Sequence, residues 1–467
     1  MFAWGDRFGP GMRLRNPDGQ PRISVALLAA MLVLVALAFV YFAWPVYRAF
    51  LPLQIENGGA WNAYHADTIR AGLPLYALDD FISNNYPPLS FYLVSALSAV
   101  LHIDVLYIGR ALSLVATLAA AAAVWACVRS LGGSRLAATL GAVWWLASMA
   151  KWYSVWVGRD DPHLVALAIM TWCLAYILQH PKSERAMIAI VLMAVAGFYK
   201  HSLVAIPAAA LLWLTLHDRR RGLRATLVGL GTVGVGLAVC GALFGAAFFH
   251  DMFLPRVYHV SRGIGHIGLT QFIAPAMIIV VIWAIYRWQT FAGRFVVFFM
   301  AIALVTFMAE SLAEGVADNA IFELTVAAAI GLGRAFGDLA AIPTLRSWGL
   351  ERTQVVVVCI LIVRFLLSQH VAPYLFLVSS GFRAELNQRV SIMKAETARI
   401  AAIPGPVVCD FQLPCRFAGK PFVFDPFIVG ELLGTGRLSQ RDVAERIDRL
   451  KIRFEKIDRR VDVADLR

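Results

Sequence analysis

"ISVALLAAMLVLVALAFVYFAWPV", residues 23–46, is an unbroken apolar run long enough to cross a bilayer as a helix. Arg13, Arg15 and Arg22 precede it, and it ends on Trp44-Pro45-Val46-Tyr47-Arg48 with no small-residue cleavage site. A secretory signal peptide would be shorter and would end on such a site, so the run reads as a first membrane span. Similar windows recur along the 467 residues, of which 60% are hydrophobic and only 15% charged. A soluble domain is about half apolar, so a soluble globule is excluded.

The net charge of +12 does not point to nucleic acid, because no soluble segment carries a basic stripe interleaved with exposed aromatics. The cations gather instead in short loops: Arg129/Arg135, Lys182/Arg185, Arg219-Arg220-Arg221/Arg224, Arg287/Arg294 and Arg346/Arg352. Assigning these loops and the N-terminus to the cytoplasm satisfies the positive-inside rule. Residues 47–104, 151–162, 250–270 and 310–320 then lie outside. About eleven spans result, and the tail after Pro373 is outside too. The expected organisation is a cytoplasmic N-terminus (1–22), a transmembrane module (23–372) whose first outer loop covers 47–104, and a periplasmic C-terminal domain (373–467).

The stretch "NNYPPLSFYLVSALSAVLHI" breaks the rhythm. Its apolar part, 88–101, is short for a span and suits a helix lying in the outer interface, started by the prolines. In the tail, "AELNQRVSIMKAETARIAAI" has helical spacing, "GPVVCDF" and "GKPFVFDPF" read as short strands, and "SQRDVAERIDRLKIRFEKI" resumes a helix behind a Ser439 N-cap. The tail is therefore a small α/β unit on an α-helical polytopic protein. Cys127, Cys173, Cys240 and Cys359 fall in apolar runs and read as packing residues. Cys409 and Cys415 are either a disulfide closing a tight loop outside the cytoplasm or two free thiols.

Charges near a bilayer are costly, so those that collect on one face need a reason. Glu56, Asp67, Asp79 and Asp80 occupy the first outer loop, and "GRDDPH" sets Arg159, Asp160, Asp161 and His163 in the second. Lys200 and His201 form an outer turn in "FYKHSLVAIP". Arg256, His259, Arg262 and His266 follow, then Asp318, Asn319 and Glu323. Acids come early and bases late. A carboxylate to take a proton, with cations to hold a departing anion, is what transfer from a phosphate needs.

Structural roles compete at several of these positions. Asp161 before Pro162 suits a helix N-cap, leaving Asp160 freer. His65, one turn after Trp61, suits stacking. Lys200 could snorkel, Arg256 and Arg262 could anchor at the interface, and Asp318 could face a helix dipole.

The order of motifs resembles the GT-C superfamily of polytopic glycosyltransferases, the group that includes dolichyl- or undecaprenyl-phosphate-sugar-dependent mannosyl-, arabinosyl- and related transferases. Gly72-Leu73-Pro74-Leu75-Tyr76, Asn84-Asn85-Tyr86-Pro87-Pro88-Leu89, Arg159-Asp160-Asp161-Pro162 and Lys200-His201 carry it, over residues 23–345. The resemblance implies inverting transfer from a polyprenyl-phosphate sugar to a lipid, glycan or protein acceptor at the outer face of the inner membrane. It implies Glu56 as general base with Asp67 as the alternative, since Glu56-Asn57-Gly58-Gly59-Ala60-Trp61 departs from the family's usual single glycine. It further implies Asp160 and Asp161 at the acceptor or a divalent cation (Mg2+ or Mn2+), with His163 a further candidate ligand, and Lys200 and His201 at the lipid phosphate. Arg256 and Arg262 join them on electrostatic grounds. An oligosaccharide ligase using a polyprenyl diphosphate, and a transporter, are the rival readings. A transporter should show two halves with matching broken helices, and none is evident.

Overall fold

The computed structural model describes residues 24–464 and 466. Arg13, Arg15 and Arg22, which precede the first apolar run, lie outside the described residues. The order of helices is α1 (Val25–Ala49), α2 (Glu56–Arg70), α3 (Leu89–Leu101), α4 (Val105–Ser130), α5 (Arg135–Trp152), α6 (His163–Gln179) and α7 (Arg185–Gly197). Next come α8 (Ala205–His217), α9 (Arg219–Phe244), α10 (Ala246–Met252), α11 (Val260–His266), α12 (Thr270–Arg287), α13 (Phe291–Ser311), α14 (Phe322–Phe336), α15 (Pro343–Arg346) and α16 (Leu350–Leu366). The tail holds α17 (Ala372–Val378), α18 (Ser380–Ala401), β1 (Val407–Cys409), α19 (Gln412–Phe417), α20 (Pro426–Gly434), α21 (Gln440–Leu450) and β2 (Arg453–Glu455).

Among the described residues six helical segments are long and apolar enough to cross a membrane, and the protein is a multi-pass membrane protein. Four further apolar helices are shorter: α3, α6, α7 and α8. The centre of the bundle is α14, buried nearly all round. Its run Ala327-Ala328-Ala329-Ile330-Gly331-Leu332-Gly333 lets α5 and α12 pack close, as small residues do between membrane helices. Aromatics fill the rest, Trp44, Trp144, Trp145 and Trp283 being almost fully enclosed.

The interfacial reading of 88–101 corresponds to α3, thirteen residues that start after Pro88 and pack on α2 and α4. Two tail expectations are corrected. "GKPFVFDPF" is not a strand: Pro421 and Pro426 lack amide donors, and residues 420–425 are irregular before α20 begins at Pro426. Its aromatics anchor elsewhere, Phe422 stacking on Tyr64 at 5.0 Å and Phe424 packing near Phe81. β1 pairs instead with β2 in parallel, Val408 opposite Phe454. The expected last helix stops at Leu450, where Lys451 takes a left-handed turn (φ 52°), and the residues beyond enter β2. Ser439 does cap α21, in a reciprocal pair with Asp442. Cys409 and Cys415 form a disulfide, Cα atoms 6.0 Å apart. Cys127, Cys173 and Cys240 are buried, whereas Cys359 is exposed on the outside of α16.

Candidate active site

Two buried arginines fix the backbone that leads to Glu56. Arg110 on α4 donates to the carbonyls of Ala49, Leu51 and Leu53 at 3.2, 2.8 and 2.6 Å. Arg48, at the end of α1, donates to Ser154 O at 2.5 Å and so ties the first outer loop to the second. Each guanidinium donates to carbonyls of irregular backbone or helix ends that would otherwise lack a partner. Out of this held segment Glu56 opens α2 with φ 59°, a left-handed conformation that a residue with a Cβ adopts only when its surroundings impose it.

The Glu56 carboxylate divides its two oxygens. Oε2 accepts from the Gly58 amide at 2.9 Å and from the Arg159 guanidinium. Oε1 makes no hydrogen bond among the described residues, and the side chain is 45% exposed. Arg159 is almost fully buried and lies flat on Trp156, Cζ 3.5 Å from the ring centroid. Its other arm donates to Asp161 Oδ2 at 2.7 Å. The second glycine of the Gly58-Gly59 pair leaves room for the stem of Arg159, because a Cβ at Gly59 would come within 3.3 Å of Arg159 Cγ.

Asp161 also accepts from the His163 backbone amide at 2.9 Å, a turn that opens α6. Burial pushes its carboxyl up, but Arg159 and Lys200 outweigh that and hold it below its ordinary value. Asp160 behaves oppositely. Burial first, and then the neighbouring Asp161 charge, raise it well above the ordinary range despite Arg110. Its backbone carbonyl accepts from Asn62 Nδ2 at 2.8 Å, and its side chain occupies the space a Cβ on Gly109 would need, Oδ1 being only 1.8 Å from that position. Asp160 lines a small cavity with Asn62, Ser90, Gly109 and Tyr199. The two adjacent carboxyls are thus shifted in opposite directions, Asp161 held down by its ion pair and Asp160 pushed up by burial.

Lys200, 4% exposed, places its ammonium 3.4 Å from the centroid of Tyr86 and makes no ion pair among the described residues. Protein packed around the His201 ring, and after it the charges of Lys200 and Arg256, lower that imidazole although the residue is exposed. Tyr86 also meets Trp61 edge-on at 5.1 Å, so the ring under Lys200 belongs to the packing of α2.

The remaining sequence candidates divide. Asp67, three turns along α2, pairs with Arg416 of the tail at 2.7 Å and is not part of the Glu56 cluster. Glu323 accepts from the amides of Val204, Ala205 and Ile206 at 3.1, 3.0 and 2.7 Å, and so caps the start of α8. Asn319 Nδ2 lies 3.1 Å from His163 Nδ1. Arg256 and Arg262 reach backbone carbonyls of Glu314 and Val316 at 3.4 and 2.5 Å. Asp318 opens a 3₁₀ turn ahead of α14. His65 meets Trp61 edge-on at 4.2 Å, and burial lowers its imidazole to about 3. No group of three or more His, Cys, Asp or Glu that could hold a metal occurs among the described residues. His163 Nδ1 faces Asn319, and Asp160 Oδ1 is set against Gly109. Sequence reasoning missed Arg159 as the hub and Tyr86 as the platform. Both stood inside quoted motifs, and the doubled glycine was the signal for Arg159.

A family model described as dolichyl-phosphate-mannose-protein mannosyltransferase matches residues 85–244, which include Tyr86, Arg159 to Asp161 and Lys200 but not Glu56. No curated protein matches the chain. Among solved structures, ArnT from Cupriavidus metallidurans bound to undecaprenyl phosphate is similar, with TM-score 0.51 and 18% identity over 88% of this chain and 76% of that one. The Archaeoglobus fulgidus oligosaccharyltransferase in its apo form is similar with TM-score 0.50 and 11% identity, over 91% and 69%. Residues 85–244 thus match that mannosyltransferase family model, and over most of its length the chain is similar in fold to these two structures.

Proposed function

We propose that this protein transfers a sugar from a polyprenyl-phosphate donor to a lipid, glycan or protein acceptor at the outer face of the inner membrane, with inversion. Glu56 is the general base. The observation that carries the reading is the divided Glu56 carboxylate: Oε2 pinned by Arg159 and Gly58, Oε1 open. Arg159 links it to Asp161, in whose surroundings the Lys200 charge is felt.

In the reaction, Oε1 takes the proton of an acceptor hydroxyl as its oxygen attacks the anomeric carbon from the face opposite the phosphate. The bond from that carbon to the phosphate oxygen breaks, and its electron pair leaves on the polyprenyl phosphate. Lys200, with His201 and Arg256 nearby, holds that anion, and donors to a developing charge are worth about 2.7–4 kcal/mol each. A buried ammonium without a carboxylate beside it is costly unless an anion completes it. The short helices α7 and α8, thirteen residues each and about 20 Å long, bring the Lys200 turn within reach of a lipid headgroup. The bound lipid of the ArnT structure supports a lipid-linked donor of this kind.

Eleven crossings, a cytoplasmic N-terminus and a periplasmic tail (373–467) complete the reading. Asp67 gives way to Glu56 as base, since its carboxylate is occupied by Arg416. The test is a deletion strain complemented with Glu56→Gln or Glu56→Ala, its glycolipids, surface polymers and glycoproteins compared with wild type. Both variants should lack whatever glycan the deletion lacks, and wild-type product from both removes Glu56 as base.

A further inference from the structure

The segment that carries Glu56 is gripped from two sides by the tail. On one side the backbone of Gln54 pairs in parallel with the end of the chain: its amide donates to Val461 O at 2.9 Å, and the Val463 amide donates to Gln54 O at 2.9 Å. The Glu56 amide itself donates to Asp462 Oδ1 at 3.2 Å, an oxygen that also accepts from Ala464 N at 2.9 Å. On the other side stands the loop closed by the Cys409–Cys415 disulfide. The Leu413 amide donates to Gln54 Oε1 at 2.9 Å, and Asn57 Nδ2 donates to Asp410 O at 3.2 Å. The two grips are joined, because Gln54 Nε2 donates to Asn57 Oδ1 at 2.6 Å and the Ile457 amide donates to Asp410 Oδ1 at 2.9 Å.

The local bonds, Gly58 N to Glu56 Oε2 and Gln54 Nε2 to Asn57 Oδ1, do not involve the Glu56 amide. Ile55 offers no side-chain cap to α2, and Glu56 sits in a conformation a non-glycine residue avoids. A side chain leaving a left-handed residue points elsewhere than from an ordinary helical one, so the imposed φ decides whether Oε1 faces outward while Oε2 meets Arg159. We propose that the tail acts as a positioning device for the base, with Asp462, Gln54 and the Cys409–Cys415 loop holding Glu56 in its reactive orientation.

This inference rests on Glu56 being the base, and the experiment separates the two. Full-length protein is compared as Asp462→Ala, Asp462→Asn, Cys409→Ser/Cys415→Ser and Glu56→Gln. Hydrogen exchange of the amides of residues 54–58 and the envelope glycan restored to the deletion strain are the readouts. Asp462→Ala and the serine pair should exchange faster at 54–58 and lower product formation by about 10- to 100-fold, as expected for a displacement near 1 Å. Asp462→Asn keeps an oxygen acceptor for the Glu56 amide and should restore both readouts toward wild type, which a general loss of folding would not. Should Asp462→Ala fail to accumulate, the serine pair carries the same comparison. Unchanged exchange and product in the Asp462→Ala and serine variants, with Glu56→Gln inactive, overturns the positioning role alone. Full activity of Glu56→Gln overturns the assignment of the base.

Discussion

Replacing Arg159 by alanine removes the group that joins Glu56 to Asp161. The magnitude follows from how unequally its two partners are buried. Asp161 is 6% exposed, and its carboxylate receives a guanidinium at 2.7 Å and a backbone amide at 2.9 Å. Removing one partner of a buried pair costs about 3–5 kcal/mol, because the other charge stays behind uncompensated. Lys200, still near, should pull the value to the lower end. The Glu56 arm adds little, since that side chain is half-exposed and such pairs are worth about 0–1 kcal/mol. Stability loss of about 3 kcal/mol is therefore an Asp161 effect, and Arg159→Ala/Asp161→Asn should recover most of it by removing the stranded charge. Activity should not recover in the double variant, because Glu56 Oε2 remains without its partner. Arg159→Lys should be intermediate, an ammonium being unable to serve two carboxylates through a planar fork. Detergent-solubilised protein followed by tryptophan fluorescence gives the stability, and the restored envelope glycan gives the activity. Unfolding of Arg159→Ala within about 0.5 kcal/mol of wild type would refute the account of the ion pair. Recovery of activity in the double variant would refute the coupling to Glu56.

Gly109→Ala should damage the site without touching a charged residue: its Cβ falls 1.8 Å from Asp160 Oδ1, so the carboxylate must move, at about 1–3 kcal/mol and with reduced product. A normal melting temperature with full activity would contradict that packing. Glu323→Ala strips three amides at the start of α8 of their acceptor and should cost about 2–3 kcal/mol, read as a lowered melting temperature in detergent. An unchanged melt means the cap is dispensable. Asp425, which accepts from Trp61 Nε1 at 2.7 Å, is raised by burial to about 6 although that bond and two backbone amides pull it down. Its folded value lies above its unfolded one, so the native state holds more protons between about pH 4 and 6. This group's contribution to stability therefore falls as pH rises through that window, by about 3 kcal/mol in all. Asp425→Asn should remove that part of the pH dependence, so urea midpoints of variant and wild type should converge at about pH 3.5 and diverge at pH 7.5. A constant difference would show that Asp425 is not the titrating group.

Much of the organisation can be read without coordinates because the bilayer is a strict solvent. Apolar length announces helices such as α1, and polar motifs between them announce outer loops; hydropathy is a property of each residue, so a linear scan finds it. Ser439 and the Tyr86-Pro87-Pro88 start of α3 are equally local. The tail was harder: "GKPFVFDPF" alternates like a strand, but proline removes its donors, and the partner of β1 proved to be Arg453–Glu455, hidden behind a helical pattern. Pairing of strands depends on what lies beside them, which spacing along the chain does not encode.

The sequence alone determined that Glu56, Arg159, Asp161 and Lys200 lie in the polar stretches at the ends of apolar segments. Only the tertiary structure decided that Arg159 spans Glu56 and Asp161, that Asp67 serves Arg416, that Glu323 caps α8, and that Asp160 and Asp161 are shifted in opposite directions. Each of these depends on distances and burial between residues tens to hundreds of positions apart. A charge has no fixed role until folding chooses its neighbours and removes its water.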